Sequence, residues 1–69
     1  MEVKATMAGS VWKITVEQGQ TIEEGQDVVI LESMKMEIPI TAEQSGVVKA
    51  LKVNEGAFVN EGDVIAIIE

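Results

Sequence analysis

The sequence predicts an all-β protein, a flattened β-sandwich or barrel arranged around an internal pseudo-twofold axis. Three observations predict it. The glycines recur at a fixed spacing, the apolar residues fall in short runs bounded by those glycines, and aromatic residues are down to Trp12 and Phe58, so packing rests on Val, Ile and Leu. Branched aliphatic side chains suit the pleated, half-buried surface of a strand. Short glycine-bounded apolar runs suit strands better than helices.

Displacing the chain by 37 positions carries Gly9, Gly19 and Gly25 onto Gly46, Gly56 and Gly62, which accounts for all six glycines. Val11/Val48, Val16/Val53, Glu24/Glu61 and Glu32/Glu69 coincide, while Ile14/Leu51, Ile22/Val59, Val28/Ile65, Ile30/Ile67 and Leu31/Ile68 are conservative exchanges. Two copies of one supersecondary unit, Gly9–Glu32 and Gly46–Glu69, produce this pattern.

In the first copy, Ile14 and Val16 alternate with Lys13 and Thr15 as a strand does, Gly19 and Gly25 mark turns around a short extended piece, and Asp27 to Leu31 forms another strand. In the second, Leu51 and Val53 alternate with Lys52, Gly56 and Gly62 mark the turns, and Val64 to Ile68 closes the unit. Trp12, Ile14, Val16, Leu51, Val53, Ile65 and Ile67 are assigned to the core. Val11 and Val48 have the opposite parity to the apolar residues that follow them, so each requires a bulge or an exposed valine. Neither copy has enough apolar surface to fold alone, and the two are expected to pack face to face.

At 69 residues the chain has room for one domain, residues 1–69, with a small core. Twelve acidic residues against five lysines, with no arginine, give a formal charge of -7, which speaks against nucleic acid as a partner. The same acidity repels an anionic membrane surface, and no apolar run approaches the roughly 20 residues that span a bilayer. Cysteine and histidine are absent, so disulfides, thiolate chemistry, the usual general base and the commonest metal ligand are all missing. A protein without catalytic machinery of its own is expected. Met1 to Ala5 alternates in charge and does not read as a signal peptide, so a cytoplasmic protein is expected; a monomer is expected as well.

The two copies are joined by Ser33 to Ser45. Pro39 holds Ile38 in an extended conformation, which makes Ser33 to Met36 a tight hairpin turn with Met34 and Lys35 at its tip. Two-residue hairpin tips ask for positive φ and normally hold Asn, Gly or Asp. Met-Lys is a poor local choice, and with Met36 alongside it indicates selection for something other than folding.

Glu32-Ser33-Met34-Lys35-Met36-Glu37 resembles the biotinylation motif of biotin-dependent carboxylases, Ala/Ser-Met-Lys-Met with the lysine as acceptor. The likeness runs the length of the chain, because the biotinyl/lipoyl attachment family is itself a glycine-punctuated tandem with the acceptor on the hairpin between halves. Met7-Ala8-Gly9, Val11-Trp12-Lys13, Ile38-Pro39-Ile40 and Val59-Asn60-Glu61-Gly62 are similar to the small single-domain members. Ser33 stands where Ala is commoner, and Ala5-Thr6-Met7-Ala8-Gly9 where many relatives have Ala-Pro-Met-Pro-Gly.

The resemblance implies two four-stranded antiparallel sheets. The copies have equal length, which leaves no room for the protruding thumb of some carriers. It also implies that biotin protein ligase joins biotin to Lys35, and that the tethered group carries carboxyl groups between biotin carboxylase and carboxyltransferase. Deprotonation of the lysine would fall to the ligase. Ser33, Met34 and Met36 complete the motif; the methionines either pack the hairpin or give adaptable apolar contact to partners. Glu32 and Glu37 are either solvated acids or features read by the ligase. Lipoate, added by a lipoyl ligase, is the alternative cofactor, but lipoyl domains typically carry Asp-Lys-Ala at the tip.

Overall fold

The computed structural model describes residues 1–69, and every regular element in it is a strand. In chain order these are β1 (Glu2–Lys4), β2 (Gly9–Ile14), β3 (Thr21–Ile22), β4 (Asp27–Ser33), β5 (Met36–Thr41), β6 (Gly46–Leu51), β7 (Phe58–Val59) and β8 (Val64–Ile68). They form two four-stranded sheets, ordered β1-β8-β6-β3 and β5-β4-β2-β7, with antiparallel pairing throughout. No helix is long and apolar enough to cross a membrane.

The sheets do not correspond to the sequence copies. β3, from the first copy, pairs with β6 of the second, and β7, from the second, pairs with β2 of the first. The exchange is reciprocal down to single hydrogen bonds. Gly19 N–H donates to the Val48 carbonyl and Gly56 N–H to the Val11 carbonyl, both at 2.7 Å. Gly25 N–H donates to Ala42 and Gly62 N–H to Ala5, both at 2.8 Å. The copies therefore interlock by trading strands, which is how two units too small to close a core alone come to share one.

That last pair of bonds extends the repeat beyond its glycines. Val3/Ile40 and Ala5/Ala42 keep the same displacement and are all buried, making β1 and β5 equivalent edge strands. Residues 1–32 thus map onto residues 38–69. Most of the segment read above as a linker belongs to the second copy, and what has no counterpart is Ser33 to Glu37.

The core is aliphatic. Twofold mates such as Val11 and Val48, Ile22 and Val59, and Leu31 and Ile68 are buried together between the sheets. The parity conflict at Val11 and Val48 resolves as two equivalent bulges. Register slips between Val11 and Lys13 on β2, and between Val48 and Ala50 on β6, so both valines turn inward. Of the residues assigned to the core, Val16 and Ile65 are buried, Ile14, Leu51 and Val53 pack against its edge, and Ile67 is half-buried. Trp12 is a correction: it is 49% exposed, because the bulge that buries Val11 turns the next residue out.

Two details hold the β4–β5 hairpin in place. A Cβ on Gly9 would lie 2.8 Å from the Glu32 carbonyl oxygen, so only glycine lets β2 run this close to the end of β4. On β5, Pro39 pairs with Ile30 three pairs beyond the hairpin-closing Ser33/Met36 pair. Antiparallel pairs alternate, so its missing N–H falls on the open edge and interrupts the donors an incoming strand would need.

Candidate functional site

β4 and β5 continue beyond the shared core as a hairpin closed by the Ser33/Met36 pair, with Met34 and Lys35 between them. Their φ angles are 52° and 65°, and they are the non-glycine residues of the chain with positive φ. Positive φ at both central positions is what a two-residue hairpin of this twist requires. A side chain in that region costs about 1 kcal/mol or more, and the ladder behind it, Glu32 opposite Glu37 and Leu31 opposite Ile38, fixes the conformation.

The six consecutive motif residues, Glu32 to Glu37, form the neck and tip of this hairpin. Met34 is 91% exposed and Met36 61% exposed, so the methionines project into solvent and do not pack the hairpin. Lys35 is exposed between them. Its amine is not engaged: the ion pairs of the protein are Lys4 with Glu2 at 3.8 Å and Lys49 with Glu69 at 2.9 Å. Glu32 and Glu37 are cross-strand neighbours below the tip, both exposed. Ser33 is half-buried at the neck.

Chemically the tip offers one primary amine on a rigid base, flanked by soft apolar side chains. It has no group to activate that amine, and no cluster of three His, Cys, Asp or Glu residues that could hold a metal occurs in the structure. The open groove between the β1 and β5 edges, lined by Met1 to Thr6, Pro39 to Thr41, Glu43, Glu61 and Gly62, does not include the hairpin tip. The arrangement suits a nitrogen that is acylated by a visiting enzyme and then carries the acyl group. An unpaired amine clear of the scaffold fits an amide-linked biotin.

Met34→Asn tests the cost of the tip. Asparagine tolerates positive φ at this turn position, so the variant should gain about 0.5–1 kcal/mol, a rise in Tm of roughly 2–8 °C for a domain of this size. An unchanged or lower Tm by calorimetry would show that the methionine is not strained.

Two surface residues escaped the sequence reading. Phe58 is 66% exposed on β7 and Trp12 stands out from β2, so both aromatic residues lie outside the core. A signal was present: their mates across the 37-residue displacement are Lys49 for Trp12 and Thr21 for Phe58, polar residues at positions a core would not give them.

Known proteins share this frame. The family model described as "Biotin-requiring enzyme" matches residues 1–68. The chain is 62% identical over 65 residues to the biotin/lipoyl attachment protein of Bacillus subtilis, covering 94% of this chain and 89% of that one. It is 46% identical over 59 residues to the biotin carboxyl carrier protein of Streptococcus mutans, covering 86% of this chain and 45% of that one. Among solved structures, the urea carboxylase of Kluyveromyces lactis superposes with a TM-score of 0.94 at 32% identity, over 100% of this chain and 6% of that one.

Proposed function

The chain belongs to the biotin/lipoyl family of biotin-requiring enzymes, and from that premise we propose that it is a non-catalytic biotin carboxyl carrier whose acceptor is Lys35. One observation carries the assignment to this residue. Ser33 to Glu37 is the stretch without a twofold counterpart, and its crest holds an exposed lysine, free of ion pairs, in a backbone conformation unsuited to its side chain.

Lys35 acts as a nucleophile. A lysine amine is protonated at neutral pH and attacks only after losing its proton. The hairpin has no base, so biotin protein ligase removes that proton. Lys35 Nζ then attacks the acyl carbon of biotinyl-AMP; the amide C–N bond forms, the C–O bond to phosphate breaks, and AMP leaves. When bound, biotin supplies a ring nitrogen that takes up a carboxyl group at a biotin carboxylase and gives it up at a carboxyltransferase. The scaffold contributes tethering, which on a short arm gives effective concentrations of about millimolar. Met34 and Met36, exposed and flexible, adapt to each partner in turn.

Biotin is favoured over lipoate by the Met-Lys-Met tip and by the S. mutans relative's name. The B. subtilis relative is named for both groups, so acceptance of lipoate at the same lysine is the second reading. Intact mass spectrometry after incubation with biotin, ATP and biotin protein ligase should show one biotinyl addition per chain, with little or none from a parallel lipoyl-ligase reaction. A chain left unmodified by both would overturn the proposal.

A further inference from the structure

We propose that the outer face of the β5-β4-β2-β7 sheet, centred on Trp12 and Phe58, is the docking surface for the ligase that acylates Lys35, met by an apolar slot edged with Lys or Arg. The inference rests on the carrier reading and adds where the catalyst grips.

Register builds the face. Phe58, Ser10, Glu32 and Glu37 form one straight row across all four strands, and all are exposed. In the next row the bulge sets Trp12 and Lys13 against Ile30, which pairs with Pro39. An apolar band of Phe58, Trp12, Ile30 and Pro39 thus crosses the sheet that extends into the Lys35 hairpin. Acids border it: Glu32 and Glu37 toward the tip, and Glu55, whose carboxylate accepts a hydrogen bond from Ile14 N–H at 3.1 Å. Lys13 is the cation on this face, against a chain charge of -7.

The pseudo-twofold axis supplies an internal control. The same positions on the other sheet are Thr21 for Phe58, Val47 for Ser10, Glu69 for Glu32 and Lys49 for Trp12. Ile67 stands for Ile30, Ala50 for Lys13 and Glu2 for Pro39, so that face keeps Val47 and Ile67 but has no aromatic residue, and the Lys49–Glu69 ion pair closes it. The fold therefore accepts polar residues at these sites, and the two aromatics of the chain stand where stability does not require them, on the sheet that bears the acceptor. Exposed aromatics are typical interface anchors, and the acids around them call for a complementary basic rim on the partner.

Size argues for the ligase. A stable protein interface covers about 800 Å2 on each partner, about a fifth of the 4267 Å2 of this surface, which is far more than three side chains at a hairpin tip can offer. An enzyme that must bring Lys35 Nζ itself to its reacting centre is drawn close enough to cover the neighbouring sheet. Enzymes that act on the far end of a completed arm are not.

The test compares initial rates of biotin transfer by biotin protein ligase to wild type, to the double variant Trp12→Gln/Phe58→Thr, and to Val47→Ser on the opposite face. The double variant should show an apparent KM for the carrier raised about tenfold, with kcat within twofold and Tm within a few degrees of wild type; Val47→Ser should match wild type. Added salt should raise the wild-type KM, and less so for Glu32→Gln/Glu37→Gln. An unchanged KM in the folded double variant overturns the docking surface and leaves the carrier function standing. A wild-type chain that accepts no biotin overturns both.

Discussion

Lys35→Arg is expected to take up no biotin, with a Tm within a few degrees of wild type. The variant keeps the positive charge and the long aliphatic stem at the turn, so a change at this exposed position should cost no more than about 0.5 kcal/mol. What it removes is the nucleophile, since a guanidinium stays protonated in any ordinary buffer. The remaining lysines are poor substitutes. Lys4 and Lys49 are held by Glu2 and Glu69, while Lys13 and Lys52 stand in or beside strands rather than on a projecting turn. Intact mass should therefore show no addition, and peptide mapping of modified wild type should find biotin on Lys35 alone. An arginine variant labelled as fast as wild type, or biotin recovered on any other lysine, would remove the basis of the carrier assignment.

The hairpin was legible because two local signals agree. Pro39 fixes the return strand, and Met-Lys is the wrong chemistry for a turn that must have positive φ, so the tip was visible as a conflict between folding and something else. The glycine spacing disclosed the repeat for a similar reason: Gly19, Gly25, Gly56 and Gly62 all take φ near 90°, where few other residues go. The trading of strands was not legible. β3 and β7 are two residues each, and nothing within Thr21–Ile22 or Phe58–Val59 says which neighbour completes their hydrogen bonds. β1 was missed because a three-residue strand shows a single inward position, Val3, and gives no period to read. Trp12 lies on the face opposite to the one simple alternation gives it, because a bulge intervenes between Val11 and Lys13. One extra residue reverses which face each side chain takes, and the large apolar side chain that parity sent inward is the one the bulge sends out.

Leu31→Ala should produce the largest loss of stability and separate the scaffold from the chemistry. Leu31 is fully buried on β4, paired with Val11 on one side and Ile38 on the other, two residues before the hairpin neck. Truncating a buried leucine costs about 2–5 kcal/mol. A chain of this length has roughly 3–10 kcal/mol in all. Tm should therefore fall by roughly 10–30 °C, followed by circular dichroism. Ile68→Ala, at the twofold mate on β8, should cost a comparable amount while leaving the β4–β5 ladder intact. Below its own melting transition each variant should accept biotin at nearly the wild-type rate, because the amine and its turn are unaltered. Above it, acceptance should collapse, because positive φ at Met34 and Lys35 is imposed by the folded ladder and relaxes without it. If melted Leu31→Ala were labelled as readily as the folded protein, the ligase would be reading a linear peptide, and neither the strained tip nor the sheet beside it would contribute to recognition.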